Sequence, residues 1–373
     1  MRDANNIHIK DVKNLLDKEK NSLPLFSAEN LIKIGIEIFR GMNVPLEEAS
    51  LVSELLVKAN LVGQDSHGVI RIAQYVKAIE EGEVKPGAKM KIMHETPSTA
   101  LVDGGNGFGQ VVAKKSMEIV IEKARKNSVS TVCAFNLYHI GRLADYTEMA
   151  SRCDMIGVAM VNSTKCVAPY GGRERVLSTA PISYAFPTAK EMPFILDMAT
   201  SACAEGKIRV ALHKGEKLPY GYLIDADGNL TDNPEDFYKG GALLPLGGDL
   251  GGYKGFGLAM VVEVLSGILS RDGCAYETKK KGNGIFFQAI DIGSFMPVEE
   301  FKRKVDDLIR IVKSSKLRPG FNEILIPGEL EFRIQQKRLK EGIYVPDKTW
   351  EEIKAIAERM NIDLSQVLSH NQR

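Results

Sequence analysis

The sequence predicts an α/β protein whose helical N- and C-terminal parts pack together as one discontinuous domain around a central α/β domain. Three observations carry this expectation. Residues 26–82 repeat apolar positions at helical spacing, short β-like runs alternate with helices from about residue 95, and residues 297–360 return to helix. The expected boundaries are 1–95 and 297–373 for the helical domain and 96–296 for the central one.

The elements follow in order. In residues 27–42, Ser27 suits a helix N-cap, with Leu31, Ile34, Ile38 and Phe39 on one face and Gly41 as a stop. Residues 45–63 open with Pro45, repeat Leu51, Leu55, Leu56 and Ala59, and stop at Gly63. Residues 66–82 resume the period at Val69, Ile72, Val76 and Ile79. The β-like runs are "TALVDGG", "VSTVCAFN", "MIGVAMVN", "PISYAFP", "FILDMA", "GIFFQAIDIGSF" and "EILIPG". Helices are expected near 110–126, 142–152, 203–213 and 256–271, and three more fill 297–360. There is no internal repeat and no low-complexity segment.

Formal net charge is +1 over 373 residues, with acidic and basic residues well mixed. No global field therefore steers the chain to nucleic acid or to an anionic membrane. The longest basic run, Lys279-Lys280-Lys281, reads as a solvated loop. Five cysteines without a CxxC pair argue against a disulfide framework and a structural zinc site, so a cytoplasmic location is expected. The N-terminus lacks an apolar segment of signal-peptide length, and no apolar run is long enough to span a bilayer.

Two glycine-rich segments invite a nucleotide reading, yet neither fits the Rossmann fingerprint. Gln110 and Met260 stand where the third glycine belongs. A Walker A loop is also missing, because Lys254 follows Tyr253 and precedes Gly255. Six glycines between 247 and 257, with Lys254 among them, suit close approach to an anionic ligand at a helix N-terminus; a flexible surface turn is the rival reading.

Among six histidines, none has metal-ligand spacing, and two lie at element junctions beside an arginine. His67 follows Ser66, a possible helix cap, and Arg71 comes four residues later on the same face. A plainer account has Asp65 or Ser66 capping while Arg71 pairs with a surface carboxylate. His139 lies at a strand-to-helix junction with Arg142 three residues on. An imidazole beside a guanidinium suits proton transfer next to a carboxylate. Asp197, just after an apolar strand, suits either a ribose hydroxyl or a helix N-cap.

"DSHGVIR", "ALVDGGNGFGQ", "NLYHIGR", "APYGGRE", "ILDMATS", "ALLPLGG…YKGFGLAMVVEVL" and "IPGE" occur in the order seen in the malate/L-lactate dehydrogenase family, which this sequence resembles over roughly residues 27–345. The first 20 or so residues look like an extension. The resemblance implies a homodimer with a non-Rossmann α/β nucleotide domain and an active site in the cleft between domains. It implies NAD or NADP as cofactor and a 2-hydroxy or 2-oxo acid as substrate, with cyclic imino acid reduction or non-catalytic nucleotide binding as alternatives. His67 maps to the family's catalytic proton donor, and His139 to the acid/base of some members. Ser66 and Arg71 map to substrate and cofactor contacts. Ser163, Asp197, Met198, Ala199, Thr200, Lys254, Gly255, Pro327, Gly328 and Glu329 map to cofactor contacts. Two positions depart from the common pattern: Ala180 replaces a frequent Asn, and Arg142 stands where glycine or alanine is also common. Arg142 suggests substrates with a second anionic or polar end.

Overall fold

A computed structural model of the chain describes residues 25–277 and 282–369. The N-terminal extension with His8, the Lys279–Lys281 run and His370 lie outside the described residues. The chain divides into two compact units, one of residues 1–87, 188–194 and 302–373, the other of 88–187 and 195–301.

The first unit starts with helices α1 (Ala28–Gly41), α2 (Leu46–Leu61) and α3 (Arg71–Glu80). Ser27 caps α1, its Oγ accepting the Asn30 N–H at 3.1 Å. The expected α1 stripe is the buried one: Leu31, Ile34, Ile38 and Phe39 are at most 1% exposed. Each such side chain contributes roughly 1.5–3 kcal/mol of burial. The N- and C-terminal helical parts meet directly, since Leu25–Phe26 pairs antiparallel with Ile343–Tyr344 and Phe26 packs on Trp350 at 4.6 Å between ring centroids.

The second unit is built on a sheet of β1 (Lys91–Glu95), β2 (Thr99–Gly107), β3 (Val129–Leu137), β4 (Met155–Asn162), β5 (Ile182–Phe186), β6 (Phe194–Met198) and β7 (Asn283–Asp291). Spatial order is β1-β2-β3-β7-β4-β5-β6. β2 and β3 run parallel, whereas β1–β2, β3–β7, β7–β4 and β4–β5 are antiparallel. A mixed sheet of this kind is not the parallel Rossmann sheet, in line with the failed glycine fingerprint. Both faces of the central strands β3, β4 and β7 are largely buried, which explains their near-continuous apolar runs. Ala134, Ala159 and Phe287 face one cluster, which Met117 and Val120 complete; Cys133, Val158 and Phe286 face another, with Ile208 and Val262.

Helices α4 (Gly109–Asn127), α5 (Ala144–Ser151), α6 (Glu205–Lys214) and α7 (Gly248–Val262) fall in this part of the chain, followed by α8 (Val298–Lys313), α9 (Glu329–Glu341) and α10 (Asp347–Arg359). Several expectations need correction. Residues 91–95 pair with β2, so the sheet unit begins earlier than residue 96. Residues 188–194 join the helical unit because the Asp306 carboxylate accepts the N–H groups of Ala189 and Lys190. "EILIPG" forms no strand. The helix expected at 256–271 begins at Gly248 and passes into a π-helical segment, Glu263–Ile268. A small sheet of Leu223–Ile224, Leu230–Thr231 and Ala242–Leu243 was not legible, its strands being only two residues long.

Candidate active site

The chain between β3 and α5 carries His139 and Arg142. Its path is fixed from several sides: Tyr138 N–H donates to Gly107 O at 3.2 Å, Ile140 N–H to Asn283 Oδ1 at 3.0 Å, and Tyr146 Oη–H to Ile140 O at 2.5 Å. Gly109 permits this approach, since a Cβ there would sit 2.1 Å from Tyr138 O and 2.4 Å from His139 O. The last glycine of "DGGNGFGQ" thus makes room for the His139 segment. His139 is half-buried. Arg142 is buried, its Nη1 lies 3.5 Å from Asp145 Oδ1, and its Nε has no hydrogen-bond partner among the described residues.

Asp197 lies one residue before the end of β6, and its Oδ2 accepts the Ala144 N–H at 2.8 Å. It therefore serves the N-terminus of α5, a helix distant in sequence, where a carboxylate is favoured. Met198 and Ala199 are half-buried, and Thr200 is buried with its hydroxyl shared between Thr179 O and Ala180 O. Ser163 follows the end of β4 and is half-buried. Most of the glycines between 247 and 257 lie inside α7 rather than in a preceding loop. Gly255 packs on backbone, for a Cβ would lie 2.4 Å from Leu246 N, whose N–H goes to Thr200 O at 2.8 Å. Lys254 is exposed in the second turn of α7.

In the helical unit, Asp65–His67 forms a 3₁₀ turn and α3 starts only at Arg71. His67 therefore precedes the helix, and Ser66 does not cap it. The Ser66 hydroxyl instead meets His67 Nδ1 at 3.0 Å, and Ser66 O accepts from Arg71 Nε at 2.7 Å. Arg71 also donates to Gln74 Oε1. Asp65 binds the Asn60 amide at 2.7 Å and pairs with Arg338 on α9. One turn thus clusters Ser66, His67 and Arg71 and ties them to the helix that Glu329 begins.

Glu329 is buried and multiply bound. Its carboxylate accepts from Lys313 Nζ at 2.6 and 2.7 Å, from Arg333 at 2.5 Å and from the Ile326 N–H at 3.1 Å. Burial alone would raise its pKa, but Lys313, the Ile326 N–H and Arg333 together hold it below the ordinary value. Glu191, Met192, Ile309, Phe332 and these charged groups line a cavity of about 240 Å³. Gly328, at φ 89°, turns the chain into α9 in the left-handed region.

The sequence profile of the malate/L-lactate dehydrogenase family matches residues 26–354. The chain belongs to this family. It is 43% identical over 343 residues to the malate dehydrogenase of Pyrococcus horikoshii, covering 90% of this chain and 95% of that protein. Identity is 40% over 349 residues to the L-sulfolactate dehydrogenase of Methanocaldococcus jannaschii, covering 91% and 98%. The solved structure of the Pyrococcus horikoshii malate dehydrogenase matches with a TM-score of 0.85 at 40% identity, over 92% of this chain and 99% of that one.

Within this malate/L-lactate dehydrogenase fold, Ser66, His67, Arg71 and Pro327–Glu329 belong to the helical unit, and the other expected site residues to the sheet unit. Sequence reasoning did not single out Asn162, Ser178, Glu263 or Asn283, buried polar residues whose hydrogen bonds reach the chain around Ser163, Ala180 and Ile140. Their signal was a polar residue inside or ending an apolar run, which does not separate a buried network from a solvated face.

Proposed function

We propose that the substrate of this enzyme is a 2-hydroxy or 2-oxo acid with a second anionic group beyond its C1 carboxylate. Family membership makes the chain an oxidoreductase acting on CH–OH groups of 2-hydroxy acids. The observation that carries the proposal is Arg142. Among the described residues this buried guanidinium has one long ion pair and no partner for Nε, so it is poorly compensated, and a ligand anion would supply the missing acceptors. The two relatives above are named for malate and L-sulfolactate, and each of those acids carries two anionic groups.

A pyridine nucleotide, NAD or NADP, supplies the hydride chemistry when bound. Ser163, Asp197, Met198, Ala199, Thr200, Lys254, Gly255, Pro327, Gly328 and Glu329 would hold it. The donor set fits a dinucleotide: Lys254 offers an exposed cation for phosphate, and Ser163 offers a hydroxyl at a strand end. Thr200 and Glu329 already spend their side chains on the protein, so they would contribute shape. Arg71 would grip the C1 carboxylate. His67 would move the hydroxyl proton, its ring oriented by Ser66, with His139 as the second candidate.

The active form is a homodimer in this reading. Leu250, Tyr253, Val261, Val264 and Ile268 are 47–93% exposed along α7 and its π continuation, an apolar face that a second copy would cover. The cysteines are free thiols, which suits the cytoplasm. Among the described residues no helix is long and apolar enough to cross a membrane.

The test is loss of nicotinamide absorbance with NADH and with NADPH across a panel of oxaloacetate, sulfopyruvate, pyruvate and a cyclic imine, for wild type, His67→Ala and His139→Ala. Turnover of the dianionic acids is expected, with His67→Ala slowed by about 10²–10⁴-fold. Preference for the cyclic imine, or turnover of none, would overturn the reading. Activity of His67→Ala within a few-fold of wild type would move the acid role to His139.

A further inference from the structure

The buried carboxylate of Glu263 has no place in the chemistry above. It is 4% exposed, at the first residue of the π-helical segment that continues α7. π-Helical turns recur at functional sites. Three neutral donors reach it: Ser178 Oγ to Oε1 at 3.1 Å, Asn162 Nδ2 to Oε2 at 3.2 Å and Ala275 N to Oε2 at 3.0 Å.

Both side-chain partners stand next to expected cofactor contacts. Asn162 ends β4 immediately before Ser163, and it is itself pinned by Gly273 O at 2.8 Å and the Gly284 N–H at 3.0 Å. Asn283 Nδ2 bonds Asn162 O at 2.9 Å, and its Oδ1 holds the Ile140 N–H beside His139. Ser178 Oγ accepts the Ala180 N–H at 3.1 Å, and Ala180 O accepts the Thr200 hydroxyl at 2.9 Å. One carboxylate thus anchors the approach to Ser163 on one side and the turn that holds Thr200 on the other.

We propose that Glu263 is a positioning residue for the dinucleotide-binding strand ends, acting through Asn162 on Ser163 and through Ser178 and Ala180 on Thr200. The proposal rests on the dehydrogenase reading. The role is one of hydrogen bonding, so an amide of the same shape performs most of it. In Glu263→Gln the Oε1 oxygen takes the two bonds from Asn162 and Ala275, and the amide nitrogen donates to Ser178 Oγ.

The experiment is equilibrium titration of NADH and NADPH by nicotinamide fluorescence, with thermal melts and steady-state kinetics on the same samples. Glu263→Ala weakens dinucleotide binding by about tenfold or more, the scale of one lost charge-assisted bond, and the loss falls more heavily on dinucleotide KM than on kcat. Glu263→Gln restores most of that affinity. Should Glu263→Ala fail to fold, Ser178→Ala carries the test, with a smaller loss in the same direction. Folded Glu263→Ala or Ser178→Ala that titrates like wild type overturns the proposal. So does a folded Glu263→Gln as weak as Glu263→Ala. Wild type that binds neither dinucleotide would instead sink the dehydrogenase reading itself.

Discussion

Arg142 Nη1 lies 3.5 Å from Asp145 Oδ1, and the two side chains are only 6% and 3% exposed. At that distance the contact is a weak ion pair rather than a short charge-assisted bond. Asp145 sits in the first turn of α5, the same turn whose first N–H binds Asp197. The cation, the helix start and the end of β6 are thereby joined in one buried polar cluster. Burying a cation beside one weak partner has a desolvation cost that a contact of this length repays poorly.

Gly109 is where the His139 segment depends on the absence of a side chain. Gly109→Ala would push Tyr138 O and His139 O outward, since a Cβ would approach them at 2.1 and 2.4 Å. Destabilisation of roughly 1–3 kcal/mol is expected from the overpacking, visible as a lower urea midpoint. Unchanged stability would mean that the segment shifts easily and is not held as described.

Ala180 holds φ 41° while fully buried. The left-handed region costs a non-glycine residue about 1–2 kcal/mol, and Asn tolerates it better than most. Ala180 is therefore a strained position. Ala180→Gly should be close to neutral, whereas Ala134→Gly, equally buried within β3, should destabilise by about 1 kcal/mol or more. Equal losses at the two sites would remove the strain argument.

Glu329 gives the helical unit an acid-side sensitivity. Its folded carboxyl titrates below the ordinary value of 4.5, so its contribution is present above that pH and is lost as pH falls through the lower folded value. Lys313 and Arg333 are 37% and 40% exposed, so solvent screening keeps the contribution modest, about 1 kcal/mol. Thermal melts should show Glu329→Gln less stable at neutral pH and less sensitive to acid below 4.5. A variant whose melting temperature falls with acid as steeply as that of wild type would contradict this.

Burial pushes the Cys133 and Cys166 thiols up to about 12 and Cys203 up to about 11. Raised thiols favour the folded state below the ordinary value of 9.0, and the advantage is lost as pH climbs toward 11–12. At about pH 8 these three should resist a thiol reagent in the native protein and react only on unfolding, with half-buried Cys153 labelled first. Rapid native labelling of Cys166 would show that its surroundings open.

Much of this was legible in the sequence. The α1 stripe and its Ser27 cap are local patterns, and the structure has both where the sequence puts them. The missing third glycine argued against the parallel Rossmann sheet, and the sheet is mixed. What failed was tertiary. Ser66 looked like a cap, but Asp65 is drawn to Arg338, more than 270 residues away in the chain, and His67 is left in a separate turn. The glycines of α7 looked like a loop, although Gly255 is there because Leu246 backbone crosses beneath it. Asp197 serves a helix start 53 residues earlier, and no local window contains that pairing.

The most direct test is the ratio of kcat/KM for oxaloacetate to that for pyruvate, measured for wild type and for Arg142→Met. Replacing a buried guanidinium by an apolar side chain of similar length removes the anion partner and leaves pyruvate turnover comparatively intact. The ratio is expected to fall by about 100-fold or more, the scale of a desolvated charge pair of 2–5 kcal/mol. A ratio that stays within a few-fold of wild type would show that Arg142 does not read the second anion.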